Sequence, residues 1–141
     1  MRTPSRPNKP QRAQPDEQQN TQLVVDFELR EGLMFLLIQN FGPTVAREVR
    51  ISFNQAILVL NAEKKLNELN IFRKLRYLAP YKTIEVFLDP ASLFLLKLKD
   101  KEVAIKLSYQ DAQGKTVTEE IIHDLSIYTD LPILLNHQHH G

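Results

Sequence analysis

The stretch that decides the fold is Leu33–Phe53, LMFLLIQNFGPTVAREVRISF. It begins with an apolar run of strand length, 33–38, and Gly42 and Pro43 then mark a turn. Beyond the turn, apolar residues alternate with polar ones up to Phe53, which is the period-two pattern of a half-buried strand. The stretch therefore predicts strand, turn and strand, the basic unit of a small β-sandwich.

Composition divides the chain into three parts. Residues 1–21 contain four of the eight prolines and no aromatic residue. Such a segment cannot bury enough apolar surface to offset its conformational entropy, so we predict a disordered basic arm. Residues 22–129 carry the strand patterns, and residues 130–141 form a short C-terminal extension. Cysteine is absent, which excludes disulfides and thiolate metal sites.

Alternating patterns predict about seven strands, separated by turn signals at short spacing. They cover residues 23–30, 33–39, 46–54, 57–60, 84–88, 103–109 and 116–128. Glu119 interrupts the apolar face of the last strand and predicts a β-bulge there, and Gly114 suits the preceding hairpin loop. Together these signals predict an all-β, antiparallel sandwich.

One or two short helical turns are predicted beside the strands. Asn61 is placed to cap a turn over 62–69, since Asn is a good N-cap. Asp89-Pro90 is a helix-start signal, with Asp as the cap and Pro in the first helical position, and the helix is predicted through 92–96.

A family resemblance rests on turn and core positions. The residues that carry it are Asn40-x-Gly42-Pro43-x-x-Ala46-x-x-Val49-x-Ile51-x-Phe53, Leu78-Ala79-Pro80, and Ser108-Tyr109-x-Asp111-x-x-Gly114. They resemble bacterial immunoglobulin-like domains, nearest to those similar to the cell-adhesion-related domain of bacteria and to fibronectin type III modules. The resemblance covers 23–128 and implies an immunoglobulin-like sandwich that serves as a binding or spacer module. Where the family has Gly after Leu-Ala-Pro, this chain has Tyr81.

The sequence contains few residues in patterns that are typical of catalytic or metal-binding sites. The chain has no Cys nucleophile, no Gly-rich phosphate loop and no His-Glu-x-x-His pattern. His123 stands near Glu120 and Asp124, but adjacent strand residues point to opposite faces, which favours a structural histidine. The histidines of 136–141 suit transition metals but lack a fixed geometry. We therefore predict no enzyme activity, no cofactor and no specific metal site.

Two kinds of side chain are candidates for contact with a partner. Basic and aromatic residues are interleaved over 64–82, a pattern that suits phosphates and stacked bases. Apolar residues occupy both faces of 33–38 and recur over 131–135, whereas a sandwich strand in a free monomer normally has one polar face. The short helix, the C-terminal tail, a second copy or another protein must cover part of this surface. The candidates are Met34, Leu36, Ile38, Phe72, Arg73, Lys74, Arg76, Tyr77, Tyr81, Leu131, Ile133 and Leu134.

These patterns favour a non-catalytic protein-interaction or scaffold module within a larger assembly. Its partner would be another protein or a second copy of the chain. The alternative is a binder of anionic ligands, either nucleic acid or an acidic membrane surface, through 64–82. The formal net charge of only +1 argues against bulk affinity for nucleic acid. The N-terminal residues show no apolar signal region, so we expect a cytoplasmic protein, with peripheral membrane association left open.

Overall fold

The computed structural model describes residues 21–130, which form two antiparallel sheets packed face to face. The strands are β1 (Leu23–Arg30), β2 (Leu33–Asn40), β3 (Ala46–Phe53), β4 (Leu58–Val59), β5 (Lys64–Lys65), β6 (Leu75–Leu78), β7 (Thr83–Pro90), β8 (Glu102–Gln110) and β9 (Thr116–Asp124). The helical elements are α1 (Ala91–Lys97) and the 3-10 turns Leu66–Glu68, Asn70–Phe72 and Leu125–Tyr128. None of the helices within residues 21–130 has the length and apolar character needed to cross a membrane.

The strand order confirms the predicted fold class. One sheet has the order β1-β2-β7 and the other the order β6-β3-β8-β9, and we call them the three-stranded and the four-stranded sheet. The short pair β4–β5 lies outside both of them. All strand pairs are antiparallel. The protein is therefore an all-β, immunoglobulin-like sandwich with one short helix.

The core lies between the sheets and is filled by the inward residues of each strand. On β8 these are Val103, Ile105, Leu107 and Tyr109, all buried, which is the face that alternation predicts. Gly114 in the following hairpin has φ +79°, the left-handed conformation that glycine adopts without steric cost.

Strand β2 requires a correction, because three of the predicted interaction residues face the core. Met34, Leu36 and Ile38 are fully buried, so no partner can reach them in this fold. When every residue of a strand is apolar, the sequence does not show which residues point inward. In β2 the pairing with β1 and β7 decides which residues face the core. The outer face of β2 therefore carries the alternate residues, including Leu33 and Phe35.

The predicted helical turn over 62–69 is shorter than expected and is confined to the 3-10 turn Leu66–Glu68. Leu60, Asn61 and Ala62 all have left-handed φ values, of 54°, 59° and 70°, and they turn the chain into the β4–β5 hairpin. The backbone N–H of Asn61 donates to the carboxylate of Asp89 at 2.9 Å instead of starting a helix. Tertiary contact thus overrides the local capping signal, and only short 3-10 turns follow.

Phe72, another predicted interaction residue, also faces the core. It is buried and packs edge-on against Phe53, with ring centroids 5.3 Å apart. Phe72 closes the 3-10 turn that precedes β6. Its ring is therefore a core group and cannot contact a partner.

Helix α1 forms where it is predicted, but its start differs in detail. Pro90 occupies the N-cap position, and the Asp89 side chain does not cap the helix. Phe94 of α1 is fully buried and lies 6.0 Å from the ring of Phe27. The helix therefore closes one end of the core.

The last strand is shorter and more regular than predicted. β9 ends at Asp124, and its register with β8 is continuous, so the predicted bulge at Glu119 is wrong. Glu119 is exposed because β9 is an edge strand. The hydroxyl and the backbone N–H of Ser126 donate to Asp124, which lowers the pKa of this carboxyl and stabilises the 3-10 turn that ends the described chain.

Candidate functional site

Two loops at one end of the sandwich are joined by a single buried amide. Asn40 ends β2, and its side-chain nitrogen donates to the backbone oxygens of Thr44 at 2.9 Å, Ala79 at 3.2 Å and Leu78 at 3.3 Å. Its side-chain oxygen accepts the backbone N–H of Gly42 at 3.0 Å. Asn40 therefore fixes the β2–β3 loop against the β6–β7 turn.

We expect Asn40→Ala to destabilise the protein by about 2–3 kcal/mol, because it removes four hydrogen bonds of a buried side chain. The loss is measured by urea unfolding. Asn54→Ala is the matched control, since its side chain accepts one exposed hydrogen bond, from the backbone N–H of Ala104 at 3.0 Å. We expect the control to cost about 1 kcal/mol or less. Equal losses in the two variants would contradict the role of Asn40.

The joined loops hold two aromatic side chains outward. Tyr81 follows Pro80 in the β6–β7 turn and has a left-handed φ of 60°. Its turn is closed by a hydrogen bond from the N–H of Lys82 to the carbonyl of Ala79 at 3.3 Å. Tyr81 is 71% exposed and Phe41, which follows Asn40, is 53% exposed. Backbone geometry thus presents both rings to solvent at the same end.

An arginine and a tyrosine meet on the outer face of the four-stranded sheet. Arg47 of β3 is the register partner of Tyr77 on the edge strand β6. The guanidinium carbon of Arg47 lies 5.6 Å from the Tyr77 ring centroid, within the range of a cation–π contact. The Tyr77 side chain is nevertheless 54% exposed. This pair forms the centre of the candidate surface.

The carboxylate of Glu48 contacts two of the neighbouring arginines. Glu48 lies at a register shift in β3 and has a left-handed φ of 50°. It accepts a hydrogen bond from Nε of Arg76 at 3.2 Å and lies 3.7 Å from the guanidinium of Arg50. Arg73 and Lys74 are exposed in the turn just before β6. We call this surface the basic strip, which consists of Arg47, Glu48, Arg50, Arg73, Lys74, Arg76 and Tyr77.

Comparison with known proteins identifies a family but no function. A family model described as a domain of unknown function, DUF8453, matches residues 2–129. The chain belongs to the DUF8453 family. No curated protein and no solved structure gives a significant match. The match to DUF8453 covers all nine strands of the fold and also the proline-rich segment before them.

His123, the single histidine of the DUF8453 sandwich, has a structural role. Nε2 of His123 on β9 lies 3.0 Å from the carbonyl oxygen of Val25 on β1, so this nitrogen carries the proton. The ring stands edge-on to Phe27, with centroids 5.2 Å apart. The nearest carboxylate is that of Asp26, 3.8 Å from Nδ1, and not that of Asp124. Residues 21–130 contain no group of three or more potential metal ligands.

The structure brings together only part of the predicted basic segment. The basic strip contains four of its residues, Arg73, Lys74, Arg76 and Tyr77. Tyr81 lies at the loop end, while Lys64 and Lys65 form the separate strand β5. The predicted residues Leu131, Ile133 and Leu134 lie outside the described residues. Sequence reasoning missed Glu48 and the two arginines of β3 in the strip, Arg47 and Arg50. The signal of these arginines was present in the alternation of β3, where each occupies an outward position.

Proposed function

We propose that this DUF8453 protein is a non-catalytic interaction module within a larger assembly, and that its basic strip docks an acidic protein surface. The exposed Tyr77 ring, with Arg47 against it, carries the proposal. Tyrosine and arginine are the side chains most enriched among the residues that dominate binding energy at protein interfaces. The resemblance to immunoglobulin-like binding modules supports the same role.

The charge of the strip favours an acidic partner. The strip contains one carboxylate, that of Glu48, and five cations, which are Arg47, Arg50, Arg73, Lys74 and Arg76. Such an excess of positive charge attracts acidic side chains over a distance of about 8–10 Å at physiological ionic strength. We also propose that the assembly is cytoplasmic, and the absence of cysteine suits such a reducing compartment.

Binding of an anionic ligand such as nucleic acid is the less favoured function. A nucleic-acid base needs a free aromatic face on which to stack. Arg47 already occupies one face of the Tyr77 ring, and Glu48 accepts a hydrogen bond from Arg76. The net charge of the whole chain is only +1. These contacts suit a protein surface better than a polyanion.

The test is affinity capture from an extract of the native host, followed by quantitative mass spectrometry. We compare the wild-type chain with Arg47→Glu/Tyr77→Ala and with a control, Lys99→Glu/Leu96→Ala, which changes exposed residues away from the strip. We expect the strip variant to retain at least about tenfold less of its partner, as the loss of a dominant pair does at other interfaces. The control should retain the wild-type amount.

Two further conditions make the result decisive. Each variant must melt within a few degrees of the wild type, so that loss of binding is not loss of fold. Capture is also repeated after nuclease treatment. Equal capture by the strip variant and the wild type would refute the proposal, and capture abolished by nuclease would favour the anionic-ligand alternative.

A further inference from the structure

The outer face of the three-stranded sheet carries an exposed apolar cluster. Phe35 of β2 and Phe87 of β7 are register partners, and their ring centroids lie 5.7 Å apart. Phe87 is 40% exposed and the neighbouring Leu33 is 37% exposed. The helix α1 does not cover this cluster, because its buried residues face the core. The cluster therefore offers aromatic surface on the side of the sandwich opposite the basic strip.

Acidic groups surround this cluster. Asp26 of β1 and Glu85 of β7 are the register partners of Leu37, one on each side of it. Arg30 donates hydrogen bonds to Glu28 at 2.6 Å and to Glu85 at 3.3 Å, and both raise its pKa. Three carboxylates against one guanidinium leave a charge of −3 + 1 = −2. We call this surface the acidic face, and its members are Asp26, Glu28, Arg30, Leu33, Phe35, Leu37, Glu85 and Phe87.

Arg30 shows how the acidic face binds a guanidinium. Its guanidinium carbon lies 4.4 Å from the Phe35 ring centroid while two carboxylates accept its hydrogen bonds. The face thus combines an aromatic ring with acidic acceptors. An incoming arginine has the same chemical needs, and Asp26 and the exposed Phe87 ring, which Arg30 does not bind, can meet them. The basic strip presents such arginines around an exposed tyrosine. The two surfaces are complementary in charge, and both contain aromatic rings.

We propose that the acidic partner of the basic strip is a second copy of this chain, which docks through its acidic face. This inference rests on the proposed function, because it uses the same strip. The two surfaces lie on opposite sides of one sandwich, so each copy can use both at once. Contact between two different patches is heterologous, and it extends into open chains of copies unless the rotation closes a ring.

Electrostatics also disfavours the symmetric arrangements. Two acidic faces brought together would oppose like charges, and so would two basic strips. Only the contact of acidic face with basic strip pairs opposite charges. Because the pairs are exposed, salt should weaken the association, as it does other surface electrostatic contacts.

The test uses charge reversal and sedimentation velocity at low salt. In one variant, Asp26→Lys/Glu85→Lys, both outer surfaces become positive. In the other, Arg47→Glu/Arg50→Glu/Arg76→Glu, the charge of the basic strip falls from +4 to −2, so both become negative. All five substituted residues are exposed, so we expect both variants to keep the wild-type melting temperature within a few degrees. The wild type should self-associate in a manner that depends on concentration and salt, and each variant alone should associate at least about tenfold more weakly.

The decisive measurement is an equimolar mixture of the two variants. The reversed acidic face of one variant then meets the reversed basic strip of the other. The native strip of the first also meets the native acidic face of the second, so we expect association to return. Lys99→Glu is the control and should behave as the wild type. If reversal on the acidic face unfolds the protein, the neutral variant Asp26→Asn/Glu85→Gln takes its place, and it should weaken the association of the wild type.

Three outcomes would overturn the inference. They are a wild type that stays monomeric up to about 1 mM, association that survives both reversals, and a mixture that fails to recover. In each case, a partner that is captured from the host through the strip would leave the proposed function standing. If the self-association test fails and no partner is captured through the strip, both the inference and the proposed function are refuted.

Discussion

Leu36→Glu is expected to abolish folding. Leu36 is fully buried at the centre of β2, where its register partners are Phe27 on one side and Val86 on the other. A buried carboxylate without a partner costs several kcal/mol, and the lost leucine packing adds about 2–5 kcal/mol. The sum approaches or exceeds the total stability of an ordinary domain, about 5–15 kcal/mol. Far-ultraviolet circular dichroism and the dispersion of amide NMR signals measure the outcome.

Leu33→Glu is the control on the same strand. Leu33 lies on the outer face and is 37% exposed, so a glutamate there keeps its hydration. We expect this variant to fold and to lose about 1 kcal/mol or less. A folded and cooperative Leu36→Glu would mean that the two faces of β2 are assigned backwards, and it would return Met34 and Ile38 to the set of interaction candidates.

Tyr109→Ala is expected to cost about 3–5 kcal/mol, as the truncation of other large core aromatics does. Tyr109 is buried on the inward face of β8, and its hydroxyl donates to the backbone oxygen of Thr21 at 3.4 Å. Burial raises the pKa of this hydroxyl, and the charge of Glu119 adds to the effect. Urea or thermal unfolding measures the loss.

Two further tyrosine variants separate the causes. Tyr109→Phe removes only the hydroxyl, so we expect it to cost about 1 kcal/mol. Tyr81→Ala removes an exposed ring and should change stability by about 0.5 kcal/mol or less. A loss of less than about 1 kcal/mol in Tyr109→Ala would refute the assignment of the inward face of β8.

Sequence reasoning works on this chain where one face of a strand is apolar and the other polar. The residues from Val103 to Tyr109 show such alternation, and both the strand and its inward face follow from it. On β2 every residue from Leu33 to Ile38 is apolar, so the strand is predictable but its orientation is not. Only the pairing of β2 with β1 and β7 decides the orientation, and that information is not local.

The candidate site shows the same limit. Tyr77 and Arg47 lie far apart in the chain, and they meet because β6 pairs with β3 in one particular register. The pattern of basic and aromatic residues within 64–82 identifies exposed cations, but it does not show which of these cations share a surface with β3. The helical turn predicted over 62–69 begins only at Leu66 for a related reason, since the N–H of Asn61 donates to the distant carboxylate of Asp89.

The contact between His123 and Val25 bears on the order in which the protein folds during synthesis. It joins residues that are 98 positions apart, and the Tyr109–Thr21 contact spans 88 positions. β1 and β2 can pair as soon as both are made, but the carbonyl of Val25 finds its partner only when β9 emerges from the ribosome. The contact between β1 and β9 can therefore form only after the last strand has been synthesised. A chain interrupted before β9 would leave β8 as an unpaired edge, the kind of surface on which nascent chains aggregate.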